Sequence, residues 1–179
     1  MVITFIGMPG CGKSCMGRAI AGKLKMKLID SDKLIEKRCG KKLQELIDEI
    51  GVEAFRKIEE ETLLSITGDN LIVSTGGSAV YSDAGMMHLK SLGKVFYLFC
   101  GYDTILQRIG DYSKRGIVLK PGQTIKDLFD ERAPLYKKYA DVTILCDGSA
   151  YPQYQSAVIR AAKRFGVRVK NEVKKEGLE

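Results

Sequence analysis

Residues 7 to 14, GMPGCGKS, match G-x-x-x-x-G-K-[ST] at every fixed position. This pattern restricts the fold, because such a loop works only where a strand ends and a helix begins. Its glycines let successive backbone N–H groups point into one anion-sized hollow. The helix that starts there adds the positive end of its dipole. The flanks agree with this. VITFIG upstream is short, apolar and β-branched, while KSCMGRAIAGKL downstream has helical spacing with Met16, Ile20 and Leu24 on one face. The loop residues Gly10, Cys11, Gly12, Lys13, Ser14 and Cys15 are therefore expected against the phosphates of a nucleotide, with Lys13 on the β- and γ-phosphates and the Ser14 hydroxyl on Mg²⁺. An ordinary glycine-rich turn is the competing reading, and the flanks disfavour it.

Four further runs resemble the first strand: KLID, LIVSTG, KVFYLF and DVTILC. They are short, continuous and β-branched, as strands buried on both faces are. Helical patterns separate them, which predicts an α/β fold with a five-stranded parallel sheet and helices on both faces. In such sheets ligands bind beyond the carboxyl ends of the strands. Polar residues cluster there. The second strand ends in Asp30 and Asp32, the third in STGGSAV and the fifth in CDGSAYP. Two residues apart in extended chain, Asp30 and Asp32 point the same way. One carboxylate near Ser14 helps hold Mg²⁺, and the other accepts a hydrogen bond, and a proton, from a substrate hydroxyl. Alternatively, Asp32 or Ser31 caps the following helix. Between the last two strands, GDYSKRGIVLKPGQ is glycine-rich and basic, and a mobile lid is expected over about 110–123.

The 179 residues suit one domain, placed at 1–165, with a basic tail at 166–179 expected to fray. The net charge of +7 is spread along the chain, so a polyanionic small substrate explains it better than nucleic acid. No apolar run approaches a membrane span, and the N-terminal strand does not read as a secretion signal, so the expectation is a cytoplasmic protein that binds no membrane. The five cysteines form no C-x-x-C, and His88 has no ligand cluster around it; zinc is not expected, and reduced thiols are. Cys39, Cys100 and Cys146 read as small hydrophobes in or near the core. Cys11 has two readings, a reactive thiolate beside the phosphates or a buried inert thiol.

The motifs GMPGCGKS, LIDSDKLIE, FRKIEE, STGGSAV, RGIVL and ERAPLYKKYAD, in this order and spacing, resemble the shikimate kinases over roughly residues 1–152. The resemblance implies a P-loop kinase fold and transfer of the γ-phosphoryl of ATP to the 3-hydroxyl of shikimate, a step of chorismate biosynthesis, with Mg²⁺ as cofactor and a monomer as the working form. It implies that Lys13 and Ser14 serve phosphate and Mg²⁺, with Asp30 assisting the metal. Asp32 holds ring hydroxyls and is the candidate base. Arg56 and Arg132 grip the substrate carboxylate and Glu59 supports the acceptor side. Gly76 and Gly77 bring backbone N–H groups against the acceptor. Arg115 is the lid arginine, Arg108 lies against adenine, and the loop from Cys146 to Pro152 wraps the other side of the base. Singly, Arg56 could instead pair with Glu60 on a helix surface, and Arg132 could cover apolar surface.

Members of that family usually carry three consecutive glycines where this chain has Gly76, Gly77 and Ser78, and proline where it has Gly116. Ser78 adds bulk and a donor beside the acceptor, and Gly116 loosens the lid. Both changes lie on the acceptor or closure side. A related kinase for another hydroxy acid such as gluconate, or a nucleotide-binding module without catalysis, are the alternative readings.

Overall fold

Apolar runs too short for helices, rich in Val, Ile and Phe, pair at the centre of the molecule. β1 (Val2–Ile6), β2 (Lys27–Asp30), β3 (Leu71–Ser74), β4 (Gly93–Phe99) and β5 (Val142–Leu145) form one sheet in the order β2-β3-β1-β4-β5, and every pairing is parallel. The structure is a computed structural model and describes residues 1–110, 116–120, 122–148 and 151–167. All five strands fall on the runs that the alternation predicts. Every residue of β1 and of β3 is buried, as expected for strands covered on both faces.

The helices are α1 (Lys13–Leu24), α2 (Ser31–Cys39), α3 (Leu43–Ile50), α4 (Val52–Ser65), α5 (Asp83–Leu92), α6 (Tyr102–Ile109), α7 (Ile125–Tyr139) and α8 (Tyr151–Arg164). α1 packs on β1, β2 and β3 and touches α8, which lies against β5. α5 packs on β1 and β4, with α4 and α7 beside it. No helix among the described residues is long and apolar enough to cross a membrane.

Two cores result. The main one surrounds the sheet. A smaller one, Ile35, Leu46, Ile47 and Phe55, joins α2, α3 and α4 into an arm beside the end of β2. α4 therefore belongs to both, and its residues Arg56 and Glu59 are carried toward the strand ends. On the other side, Tyr136 of α7 is fully buried, stacks on Tyr97 at 5.1 Å and donates from its hydroxyl to the Gly77 carbonyl at 2.7 Å. That bond fastens α7, and with it Arg132, to the loop after β3.

Two local expectations change. β2 stops at Asp30 and α2 starts at Ser31, so Asp30 and Asp32 do not share a face through strand alternation. Asp30 caps α2 by accepting from Lys33 N at 3.3 Å, and Asp32 lies in the first turn. The cap is thus the residue before the two considered. Likewise, the segment leading to Pro152 is not all loop. α8 begins at Tyr151, because proline suits a first helical turn, where no N–H is needed. Part of the lid expected over 110–123, including Arg115, and most of the tail expected over 166–179 lie outside the described residues.

Candidate active site

The loop after β1 supplies the first wall. Gly12 takes φ +96°, a left-handed conformation that favours glycine, and it begins α1 with no side-chain cap. The first-turn N–H groups of α1 are thus left for an anion. Lys13 is buried, and its Nζ donates to the carbonyls of Gly7 at 2.8 Å and Met8 at 3.0 Å. The Ser14 hydroxyl lies 3.4 Å from that of Ser74 at the end of β3.

These groups open into a cleft of about 640 Å³ at the carboxyl ends of the strands. Of the residues singled out in the sequence, Gly10, Gly12, Lys13, Ser14 and Cys15 line it from the loop. Asp30 and Asp32 line it from the end of β2, Gly76 and Gly77 from the end of β3, and Arg108 and Arg132 from α6 and α7. Arg18, Lys33 and Lys42 add positive charge that the motif reading did not include.

Close packing explains the two glycines. A Cβ on Gly76 would come 2.6 Å from Asp32 Oδ1 and 2.7 Å from Glu59 Oε1; one on Gly77 would come 2.8 Å from Pro9 Cδ and 3.1 Å from Arg132 Nη1. Gly76 thus brings two carboxylates onto one patch of backbone, and Gly77 lets the phosphate loop and Arg132 meet. The expectation of two backbone donors facing the acceptor is corrected at Gly76, whose N–H donates to Ser31 Oγ at 3.0 Å. The fully buried Ser31 therefore ties the first turn of α2 to the β3 loop, a role spacing alone does not reveal.

The carboxylates are perturbed. Burial, with a further push from Asp30 and Glu36, raises Asp32 to about 6 against the opposing pull of Lys13. Glu59 is 3 % exposed, and burial lifts it to about 7, although a hydrogen bond from Ser78 Oγ at 2.8 Å and the charges of Arg132 and Arg56 pull it down. Glu60 does not pair with Arg56; it accepts from Ser82 Oγ at 2.6 Å, while Arg56 faces Glu53 at 3.7 Å. Both Arg56 and Arg132 lie over the ring of Tyr81, a residue the sequence reading passed over.

Three other residues singled out in the sequence take distinct places. Cys11 is 3 % exposed, behind the loop, which favours the inert reading of its thiol. Arg108 donates to the carbonyls of Cys146 at 3.2 Å and Gly148 at 3.0 Å, and so braces the loop after β5. Pro152 is exposed and borders a separate surface hollow with Gln153, Ser156 and Arg160.

A parallel sheet whose central strand runs into a phosphate loop, facing carboxylates and arginines from the neighbouring strand ends, defines a P-loop kinase. A family model described as shikimate kinase matches residues 9–163. The chain belongs to the shikimate kinase family. It is 36% identical over 151 residues to the shikimate kinase of Francisella tularensis subsp. novicida, covering 82% of this chain and 86% of that one. It is also 36% identical over 148 residues to that of Pseudomonas paraeruginosa, covering 81% and 86%. Among solved structures, shikimate kinase from Acinetobacter baumannii in complex with shikimate superposes with a TM-score of 0.83 at 28% identity, covering 93% of this chain and 95% of that one. The Aquifex aeolicus enzyme gives 0.80 at 27% identity, covering 91% and 96%.

Proposed function

We propose that this chain transfers the γ-phosphoryl group of ATP to the 3-hydroxyl of shikimate. The observation that carries the reading is the convergence on one cleft of a phosphate loop, the Asp32 carboxylate and the guanidinium of Arg132, with Glu59 buried beside Gly76. The second half of that cleft suits a carboxylated polyol: Arg132 and Arg56 match a planar anion, and Asp32 and Glu59 match hydroxyls.

In this reading the shikimate 3-oxygen attacks the γ-phosphorus, the bond from that phosphorus to the β,γ-bridging oxygen breaks, and ADP leaves. Asp32, ionised above about pH 6, takes the hydroxyl proton. Lys13 and Arg115 offset charge on the transferring group; Arg115 rests on the family pattern, since it lies outside the described residues. Arg108 and the loop after β5 border the adenine. The hard oxygens of Ser14 and Asp30, facing one cleft, fit Mg²⁺, which commonly takes one or two protein oxygens beside phosphates and water. When bound it would neutralise phosphate charge.

Ser78 bears on the choice of acceptor. Its hydroxyl proton is committed to Glu59, so it is not a free donor for an extra polar group of a longer hydroxy acid, and that supports shikimate over gluconate. All five cysteines are free thiols, which supports a reducing compartment such as the cytoplasm.

The test is a steady-state assay with ATP and shikimate, quinate, gluconate and a shikimate analogue lacking the carboxylate. Shikimate should be the preferred acceptor, and chelating Mg²⁺ should stop turnover. Lys13→Ala should abolish activity while unfolding stays cooperative, with a lowered midpoint because the Gly7 and Met8 carbonyls lose their donor. Clear preference for gluconate, or turnover in excess chelator, would overturn the assignment.

A further inference from the structure

Arg56 and Arg132 come from α4 and α7, which both pack on α5 and on the short turn that carries Tyr81. Two like charges brought to one place repel, so something must hold them. That something is an aromatic ring. The Arg56 guanidinium carbon lies 4.6 Å, and that of Arg132 5.2 Å, from the centre of the Tyr81 ring. The negative face of the ring attracts both cations.

The Tyr81 hydroxyl makes two further bonds. It accepts from Arg132 Nε at 3.2 Å and donates to Glu131 Oε1 at 2.6 Å. The first bond fixes the plane of a guanidinium that is only 3 % exposed. The second leads away from the cleft. The other oxygen of Glu131 accepts from Gln123 Nε2 at 2.8 Å and Lys120 Nζ at 3.2 Å. A continuous polar chain therefore runs from residues 120 and 123, through Glu131 and Tyr81, to Arg132.

We propose that Tyr81 is a positioning residue for the acceptor: it holds Arg56 and Arg132 on one ring as a two-pronged carboxylate site, and it ties that site through Glu131 to the segment after Gly116. Tyr81 does not line the cleft. It acts through the arginines, and its influence is confined to the carboxylate. This rests on the reading of Arg56 and Arg132 as the carboxylate clamp.

The experiment uses the full chain and the variants Tyr81→Leu, which removes ring and hydroxyl, and Tyr81→Phe, which keeps the ring and removes only the hydroxyl. Shikimate and its decarboxylated analogue are titrated calorimetrically into each protein, and KM for ATP is measured alongside. The parent should bind shikimate more tightly than the analogue. Tyr81→Leu should weaken shikimate roughly tenfold or more, as for loss of a desolvated cation–π pair with a charged hydrogen bond. Tyr81→Phe should weaken it roughly threefold, and KM for ATP should move less than about twofold in both variants. Affinity for the analogue should stay at the parent value, so the preference for the carboxylate shrinks from the shikimate side. A general packing role predicts instead equal losses for both ligands. Equal losses, or folded variants with the parent's preference intact, overturn the assignment of Tyr81 alone. A parent that binds both ligands equally overturns the clamp itself and this inference with it.

Discussion

Ser78 occupies the place where relatives commonly have a third glycine, and its hydroxyl is committed to a buried carboxylate. The bond to Glu59 is 2.8 Å long and spans residues far apart in sequence, on α4 and in the turn after β3. Restoring the glycine removes a donor from a group that water cannot reach. Ser78→Gly is therefore expected to lower stability by about 1.5 kcal/mol, the scale of a hydrogen bond to a charged group. The change should show as a lower urea midpoint with an unchanged slope. The opposite error sits at the centre of the sheet. Thr4 is fully buried, and its hydroxyl is the one buried side-chain polar atom among the described residues without a partner. Thr4→Val keeps the shape and removes the cost of burying that group, so it should raise stability by about 1 kcal/mol. Neither environment is readable from sequence. Ser78 stands out in the motif, but its partner is set by how α4 crosses the β3 loop. Cys11 makes the same point: its position in the phosphate loop suggests reactivity, and only the packing shows it buried.

At the scale of elements, the sequence is informative wherever one local rule decides. Strand, glycine loop and helix follow one another from Val2 to Leu24 as the pattern requires, and all five strands lie where apolar runs lie. It is less informative at junctions, where one residue of shift alters a role. β2 passes into α2 without a connecting loop, so the capping task falls on Asp30. Tyr81 was missed for a different reason: its two arginines come from α4 and α7, and no sequence period links a short turn to both. Gly116 belongs at this scale, since it sets how the segment before α7 leaves the α2–α4 arm. Its φ is +63°, and a Cβ there would come 3.0 Å from Leu43 Cβ. Proline, common in relatives at this place, holds φ near −65° and cannot adopt that conformation. Gly116→Pro is therefore expected to rearrange the segment, lowering kcat/KM for both substrates while unfolding remains cooperative. A variant as active as the parent would mean that the left-handed turn has no bearing on turnover.

For the whole molecule, the main consequence is that acids at and beside the cleft are shielded from water by the fold. Glu59 moves from 4.5 to about 7, chiefly by burial, and Asp32 from 3.8 to about 6 for the same reason. A folded-state pKa above the unfolded one means that the native chain binds the extra proton between the two values. That contribution to stability is complete below the unfolded pKa and is lost as pH rises through the folded one. Glu131 works the other way. Its carboxyl is held low by bonds from Tyr81, Lys120 and Gln123, so its contribution disappears on acidification, below the range where Glu59 titrates. Between about pH 4.5 and 7 the buried acids therefore govern the slope. The ligand-free chain should lose roughly 3 kcal/mol of stability across that range as Glu59 ionises, with a further loss as Asp32 ionises. Glu59→Gln supplies the test, because the amide keeps an acceptor for Ser78 and carries no titrating proton. Urea midpoints measured from pH 5 to pH 8 should fall for the parent, whereas for Glu59→Gln they should fall only through the Asp32 range and stay flat above about pH 6.5. Parallel curves for the two proteins would show that the slope comes from elsewhere, and that Glu59 is ionised in the folded chain throughout.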